Sequence, residues 1–156
     1  MKRTSYADMP CPLAQALEVV GEWWSLLILR EAFFGVRQFG EFERRLGIAK
    51  NVLSRRLKDL VEAGVMERKP STEDARQVEY RLTAQGKDLL PVLIALSQWG
   101  ERWIYGGEAP RRFANRHSGA AVAPIEIRDV DGQRLGLRDI SLSESHAGPK
   151  EASADA

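Results

Sequence analysis

The chain has 156 residues, of which 44% are hydrophobic and 29% are charged, and its net charge is only +1. This composition is typical of a soluble protein with one domain and a modest core. The apolar stretches are far shorter than the ~20 residues that a membrane-spanning helix needs. The N-terminus lacks the apolar segment of a signal peptide, and a single cysteine excludes an internal disulfide. We therefore expect a cytoplasmic protein.

Helical periodicity begins at Pro12, which suits the first position of a helix that ends at Gly21. Ser25 is expected to cap a second, largely buried helix with the sequence LLILREAFF. A short third helix ends at Gly47, and a fourth lies within GIAKNVLSRRLKDLVEAG. The first half of the chain is therefore predicted to be a series of four helices.

After the fourth helix, the spacing of the apolar residues changes from helical to alternating. VMERK (65–69) and VEYRL (78–82) predict two strands joined by a polar loop. Thr83 opens a last long helix, in which Pro91 predicts a kink or a break. A helix, a short turn, a second helix and two paired strands form the winged helix-turn-helix. We therefore predict a mainly α fold with a small β-wing.

Changes in composition and periodicity along the sequence also predict how the chain is divided into segments. The predicted segments are an N-terminal arm (1–11), a winged helix-turn-helix and dimerisation domain (12–105), a small extension (106–142) and a tail (143–156). In the extension, apolar residues alternate around Asp131-Gly132, which predicts a β-hairpin. The tail is polar and has no aromatic residue, which predicts disorder.

Positive charge is concentrated in one stretch. Residues 44–58 include six basic residues and no acidic one, whereas the rest of the first 110 residues has 10 basic and 15 acidic residues. A solvated helix face usually mixes both signs, because pairs at i,i+4 stabilise the helix. Arg and Lys can bind guanine, Asn can bind adenine, and cations can neutralise phosphates. The fourth helix is therefore predicted to enter the major groove of double-stranded DNA.

At about 100° per residue, the leucines of the fourth helix fall on one face. The polar residues point the other way, with Ser54 and Arg56 at the two edges of their face. The strands and loop of the wing add two more cations. The predicted DNA-binding residues are Arg45, Lys50, Asn51, Ser54, Arg55, Arg56, Lys58, Lys69 and Arg76.

Four motifs occur in order: CPLAQALEVVGEWWSLLILRE, FGEFERRLGIAKNVLSRRLKDLVEAGVMER, VEYRLTAQG and LLPVLIALSQWG. Together they resemble the HxlR-type bacterial transcription regulators, which are related to the MarR group. The resemblance runs from about Cys11 to Trp103. It implies a dimeric winged helix-turn-helix protein that binds operator DNA with its fourth helix.

The chain departs from this family pattern at three places. Ala49 stands where members usually carry a hydroxyl residue as the N-cap of the recognition helix, which should cost about 1 kcal/mol of helix stability. The wing loop is more acidic and poorer in proline, so Arg76 is its main candidate contact. The tail resembles a ribbon-like extension that carries cysteine pairs in some relatives. Only Cys11 is present here, which excludes a zinc site built from cysteines.

Cys11 lies directly before the helix that Pro12 begins, where the helix dipole would favour a reactive thiolate. Some members of the resembled family sense oxidants or electrophiles through a cysteine at this position. Cys11 is thus a candidate redox sensor, and the alternative is a partly buried cap residue without a sensing role.

The first and last helices are predicted to form a homodimer interface, because their apolar stripe exceeds what one small core can cover. The predicted interface residues are Leu13, Leu17, Leu89, Leu93, Leu96, Gly100 and Trp103. The four tryptophans at helical spacing could line an effector pocket, but core or interface positions are the more common outcome.

The predicted function is sequence-specific DNA binding by a homodimeric regulator, a repressor, on an inverted-repeat operator. Its partners are operator DNA, a second copy of the chain and an oxidant or small-molecule effector, with no membrane and no cofactor. His117 and His146 are isolated, so no metal site is expected, and no catalytic constellation is discernible. The alternative is a winged-helix module for protein contacts, which usually lacks such a basic helix.

Overall fold

The computed structural model describes residues 8–72, 74 and 76–142. The chain divides into two compact units, Met1–Val122 and Ala123–Ala156. Within the described ranges, none of the helices has the length and apolar character to cross a bilayer.

The first unit has the elements of a winged helix-turn-helix. Its helices in the described ranges are α1 (Pro12–Val20), α2 (Trp23–Phe33), α3 (Phe39–Leu46), α4 (Lys50–Glu62), α5 (Ala84–Lys87) and α6 (Leu90–Trp103). Strands β1 (Met66–Pro70) and β2 (Val78–Leu82) pair in antiparallel register, with Arg68 opposite Tyr80. The predicted mainly α fold with a small β-wing is confirmed.

Local signals set most helix ends. Pro12 occupies the first turn of α1, which is followed by Gly21 as its C-cap. Gly47 ends α3 in the left-handed region, with φ of +61°, which glycine adopts without a steric cost. The predicted capping role of Ser25 is wrong, because α2 begins earlier, after Glu22. Ser25 is instead only 2% exposed, a small side chain packed inside the helical bundle.

The core of the first unit lies between α2, α3, α4 and the wing. Ile28 of α2 and Phe42 of α3 are fully buried against Leu53, Leu57 and Leu60 of α4. Burial of each such side chain contributes about 1.5–3 kcal/mol. This packing fixes which face of α4 points inward and therefore which face is left for solvent.

The predicted break at Pro91 is confirmed. α5 ends before it, and α6 begins with Pro91 in its first turn, where the missing N–H costs no helical hydrogen bond. The Thr83 hydroxyl caps α5 by accepting from the Gly86 N–H at 3.1 Å. A Cβ at Gly86 would overlap the Val65 carbonyl oxygen, so glycine is what lets α5 lie against the chain entering β1.

The predicted β-hairpin in the extension is not confirmed. The chain does reverse at Asp131-Gly132, where Gly132 has φ of +85°, but a single bridge between Arg128 and Arg134 flanks the turn. None of the described residues 123–142 is buried, so no core holds two full strands together. The predicted disordered tail lies outside the described residues.

Candidate nucleic-acid interface

The turn between α3 and α4 sets the direction of α4. Gly47 reverses the chain, and the Ile48 side chain is buried in the core beneath the turn. Ala49 follows in an extended conformation as the N-cap of α4, as the sequence predicts, and makes no side-chain cap hydrogen bond. The helix therefore projects from the bundle with the N–H groups of its first turn uncapped by a side chain.

The two faces of α4 differ in character, as the sequence predicts. Its three leucines are completely buried. The exposed residues on the other side are Asn51, Ser54, Arg55, Lys58 and Glu62. The exposed face thus presents hydrogen-bond donors and cations on a rigid helix with a packed back.

The predicted cations differ in whether an acidic side chain already holds them. Lys50 and Arg55 are exposed, and their side chains make no ion pair or hydrogen bond within the described ranges. Arg45 instead pairs with Glu41 at 2.8 Å and with Glu31 at 3.6 Å, which ties α3 to α2. Lys50 and Arg55 are therefore ready to bind an anion without first breaking a contact.

Lys58 and Lys69 are exposed like Lys50 and Arg55, but each of them already has one acidic partner. Lys58 is 3.6 Å from Glu62, and Lys69 is 2.8 Å from Glu67. Exposed pairs of this kind contribute about 1 kcal/mol or less, so a phosphate can replace the carboxylate. Arg76 of the wing loop is exposed, with its backbone N–H bonded to Asp74.

Arg56 lies at the edge of the exposed face, as the sequence predicts, but most of its side chain is covered. Its side chain is only 12% exposed and pairs with Asp59 at 3.0 Å and with Glu22 at 3.7 Å. Its Nε atom is buried and has no hydrogen-bond partner in the described part of the chain. Arg56 therefore joins α4 to the start of α2 through its ion pair with Glu22.

A buried carboxylate that the sequence analysis did not single out braces the wing. The Ser71 hydroxyl donates to Glu79 at 2.7 Å, and the Arg81 guanidinium donates to it at 2.8 and 2.9 Å. These hydrogen bonds, that of Ser71 most strongly, hold the pKa of Glu79 below its ordinary value. Gln38 also bridges to the backbone of Glu79, so the base of the wing is fixed to the start of α3.

A groove of about 400 Å³ runs between α4 and the wing. Its lining residues are Ser54, Lys58, Val61, Glu62, Arg68 and Tyr80. Arg68 is exposed and was not among the predicted contacts. The available signal was its position in β1, two residues after the core residue Met66 and therefore on the same side of the strand.

The predicted interface stripe on α6 needs correction at two positions. Leu93 is only 7% exposed, and Leu89, the residue before α6, packs against the same core. At about 100° per residue, Leu93 lies about 60–80° around α6 from Leu96 and Trp103, so it sits at the edge of the stripe and faces the core. Leu96 and Trp103 are exposed as predicted, and Gly100 has no side-chain neighbour closer than Ile104.

Two further residues complete the exposed stripe. Val92 and Trp99 lie with Leu96 and Trp103 at i, i+4, i+7 and i+11, and all four are more than half exposed. On α1, Leu13 and Leu17 are also exposed. Among the other tryptophans, Trp24 packs against the core and Trp23 is exposed.

Cys11 lies directly before α1, as its N-cap, and is half-buried. Its backbone N–H donates to the Met9 carbonyl at 2.7 Å, which fixes the chain just before the helix. Its reactivity stays a prediction. Within the ranges the structure covers, no group of three or more His, Cys, Asp or Glu side chains could hold a metal ion.

The buried back of α4, its exposed cations and the adjoining wing define a winged helix-turn-helix protein of the DNA-binding class. The family model for HxlR-like helix-turn-helix proteins matches residues 19–108, more than half of the chain. The chain belongs to this family of transcriptional regulators.

Individual relatives agree with this assignment. An uncharacterised HTH-type transcriptional regulator of Mycobacterium tuberculosis is 43% identical over 130 residues, which span 83% of this chain and 82% of the relative. The crystal structure of PA1607, a candidate transcription factor, is 43% identical with a TM-score of 0.84, covering 91% of this chain and all of that one. The oxidised redox regulator HypR is 30% identical with a TM-score of 0.53, covering 58% and 95% of the two chains.

Proposed function

We propose that this chain is a cytoplasmic homodimeric repressor that reads an inverted-repeat operator with α4 in the major groove. The observation that carries the proposal is the exposed face of α4. It holds Asn51 and Arg55 beside Lys50, with no carboxylate paired to either cation within the described ranges. Lys50 and Arg55 therefore do not have to break an ion pair within the protein when they bind DNA.

The side chains divide by what they can bind. Arg55 can donate two hydrogen bonds to guanine, and Asn51 can bind adenine through its amide. Lys50 and Lys58 neutralise phosphates, while Ser54 can donate to a base edge or a phosphate. Arg76 is assigned to the backbone beside the wing. Arg45 and Lys69 are assigned weaker contacts, because each must first give up a close ion pair.

The homodimer is proposed to form through α1 and α6. Four apolar side chains lie in one exposed line on α6, and Leu13 of α1 is exposed as well. Water disfavours a continuous apolar stripe of this kind, so burial against a second copy would stabilise the assembly. A twofold dimer should then place its two α4 helices about 34–36 Å apart, in successive major grooves.

Cys11 is proposed to make operator binding sensitive to oxidants, as the relative HypR is described as a redox regulator. With one cysteine per chain, a disulfide must join two subunits or include a small thiol. In the first case, two Cys11 thiols lose two protons and two electrons to a quinone, which becomes a hydroquinone. A cross-link at the start of α1 would rotate one half of the dimer against the other.

Binding titrations on an operator found by footprinting the neighbouring intergenic region test the DNA assignment. Arg55→Ala and Asn51→Ala should each lower operator affinity by about 1–3 kcal/mol with the fold intact. Lys50→Ala and Lys58→Ala should weaken binding to all sequences alike and reduce the salt slope by about one. Four indistinguishable variants would contradict these roles, and no salt-dependent binding at all would favour the protein-interaction module.

The redox assignment is tested by the same titration with a quinone added. The native protein should lose operator affinity, and Cys11→Ser should bind the operator but ignore the quinone. If Cys11→Ser responds like the native protein, Cys11 is a structural cap residue and the effector acts elsewhere.

A further inference from the structure

The register of the wing gives its two neighbouring cations different surroundings. Successive side chains of a strand point to opposite faces, so Arg68 shares a face with the buried Met66 and with its cross-strand partner Tyr80. Lys69 lies on the opposite face with Glu67, to which it is paired at 2.8 Å. Of the two cations, Arg68 is thus the one directed to α4.

The groove between α4 and the wing brings together a set of anion-binding groups. Arg68 and Tyr80 come from the wing, and Ser54 and Lys58 come from α4. Two cations and two hydroxyl groups therefore line it, against one carboxylate, that of Glu62. Arg68 makes no ion pair or hydrogen bond within the described ranges, so its guanidinium has all its donors available.

We propose that this groove seats a phosphate of the DNA backbone and that Arg68 is a DNA-binding residue. The proposal rests on α4 being the reader of the major groove. A sugar-phosphate strand separates each major groove from the neighbouring minor groove, so a strand must pass between a helix in one and a wing beside the other. Guanidinium, ammonium and hydroxyl groups are the donors that proteins use to hold such phosphates.

The lining of the groove favours a backbone phosphate over a small organic effector. Sites for small molecules are concave and bury most of the ligand, whereas this groove is open to solvent. Here Ser54, Lys58, Glu62 and Arg68 are all exposed, and Val61 and the ring of Tyr80 supply the apolar lining. An open groove bordered by charged and hydroxyl side chains suits a charged strand that lies across it.

The test uses the full chain and a labelled duplex of mixed sequence, about 30 base pairs long, titrated between about 50 and 200 mM salt. Arg68→Ala should lower affinity about tenfold at the lowest salt, the value of one charge-assisted hydrogen bond. It should also reduce the slope of log affinity against log salt by about 0.9, the value for one phosphate. Arg68→Lys should keep the native slope.

Lys87→Ala is the matched control, since it removes the same charge from an exposed residue of α5, outside α4 and the wing. Its affinity should stay within about twofold of the native value, with the native slope. The melting temperature of each variant shows whether it is folded, and Arg68→Gln replaces Arg68→Ala if the alanine variant melts early.

Two results would overturn the inference. One is a native slope for both Arg68→Ala and Arg68→Gln, and the other is an equal loss of slope in Lys87→Ala. In either case a loss of operator affinity in Arg55→Ala would leave the proposed function standing. A native protein without salt-dependent binding would instead contradict the proposed function itself.

Discussion

Helices α4 and α6 bury one side in the same core but leave different chemistry in solvent. α4 buries Leu53 and Leu57 completely and exposes Asn51 and Arg55 on the other side. α6 buries Leu93 and exposes a line of valine, leucine and tryptophan. Exposed polar and charged side chains are stable in water, whereas a continuous apolar stripe is stabilised when another surface covers it.

We expect this difference to give the two helices different partners. A charged face with unpaired cations suits a polyanion, whose binding is governed by salt. An apolar stripe suits a protein surface, whose binding is governed by buried area. If the comparison is right, substitutions on α6 should change assembly, and substitutions on α4 should change DNA affinity without changing assembly.

The largest expected effect is on α6. Trp103→Glu places an unpaired carboxylate in the proposed interface and should raise the dimer dissociation constant at least 100-fold, about 3 kcal/mol. Sedimentation at micromolar concentration would then find a monomer. Lys87→Glu on α5 adds negative charge outside the stripe and should stay dimeric. A dimeric Trp103→Glu variant would remove Trp103 from the interface, and the same test on Leu96→Glu would examine the middle of the stripe.

Arg55 and Arg56 sharpen the comparison within α4 itself. Arg56→Ala removes a mostly buried guanidinium with two acidic partners and should lower the free energy of unfolding by about 1–2 kcal/mol. That figure is lower than for a fully buried pair, because Glu22 and Asp59 are partly exposed. Arg55→Ala should change stability by less than about 0.5 kcal/mol. Denaturant titrations measure both, and equal losses would contradict the assignment of one side chain inward and the other outward.

A smaller effect is expected at the start of α4. Ala49 leaves the N-cap without a side-chain hydrogen bond, so Ala49→Ser should stabilise the protein by about 0.5–1 kcal/mol. Ala63→Ser at the other end of α4 is the control and should give no such gain. Thermal melts compare the two variants. If Ala49→Ser were neutral or destabilising, other groups would already accept hydrogen bonds from the N–H groups in the first turn of α4.

The smallest expected effect concerns the acidic residue on the face of α4. Glu62→Gln removes negative charge beside the proposed phosphate seat and releases Lys58 from its 3.6 Å pair. Affinity for a mixed-sequence duplex should rise about twofold to threefold, which corresponds to a change in binding free energy of about 0.5 kcal/mol. Asp88→Asn removes the same charge outside α4 and the wing and should change little. An equal rise in both variants would point to overall charge alone.

Local preferences let the sequence by itself predict most of the fold. Glycine tolerates the left-handed region, so Gly47 ends α3 wherever the chain goes next. Proline cannot donate a helical hydrogen bond, so Pro91 separates α5 from α6. Thr83 caps the helix that follows it because its hydroxyl reaches the N–H three residues on. Each of these effects acts within one turn of chain.

The predicted β-hairpin also had a local signal, the turn sequence Asp131-Gly132. The segments on either side of this turn lack a core that would hold them together as paired strands. A turn sequence fixes where a chain reverses, whereas paired strands persist through packing of their side chains. That packing is absent from the described residues 123–142, none of which is buried.

Only the tertiary structure decided which individual side chains are available to a partner. Arg55 and Arg56 are adjacent residues of the same type. Neighbours on a helix point about 100° apart, and only Arg56 pairs with Glu22 at the start of α2. Leu93 was predicted to lie in the interface with Leu96 and Trp103, but it lies at the edge of their stripe and packs into the core. Arg68 stands out only beside Ser54 and Lys58, which lie far from it in sequence. The sequence determined where charge and apolar residues concentrate, and packing over long sequence separations determined which of them face outward together.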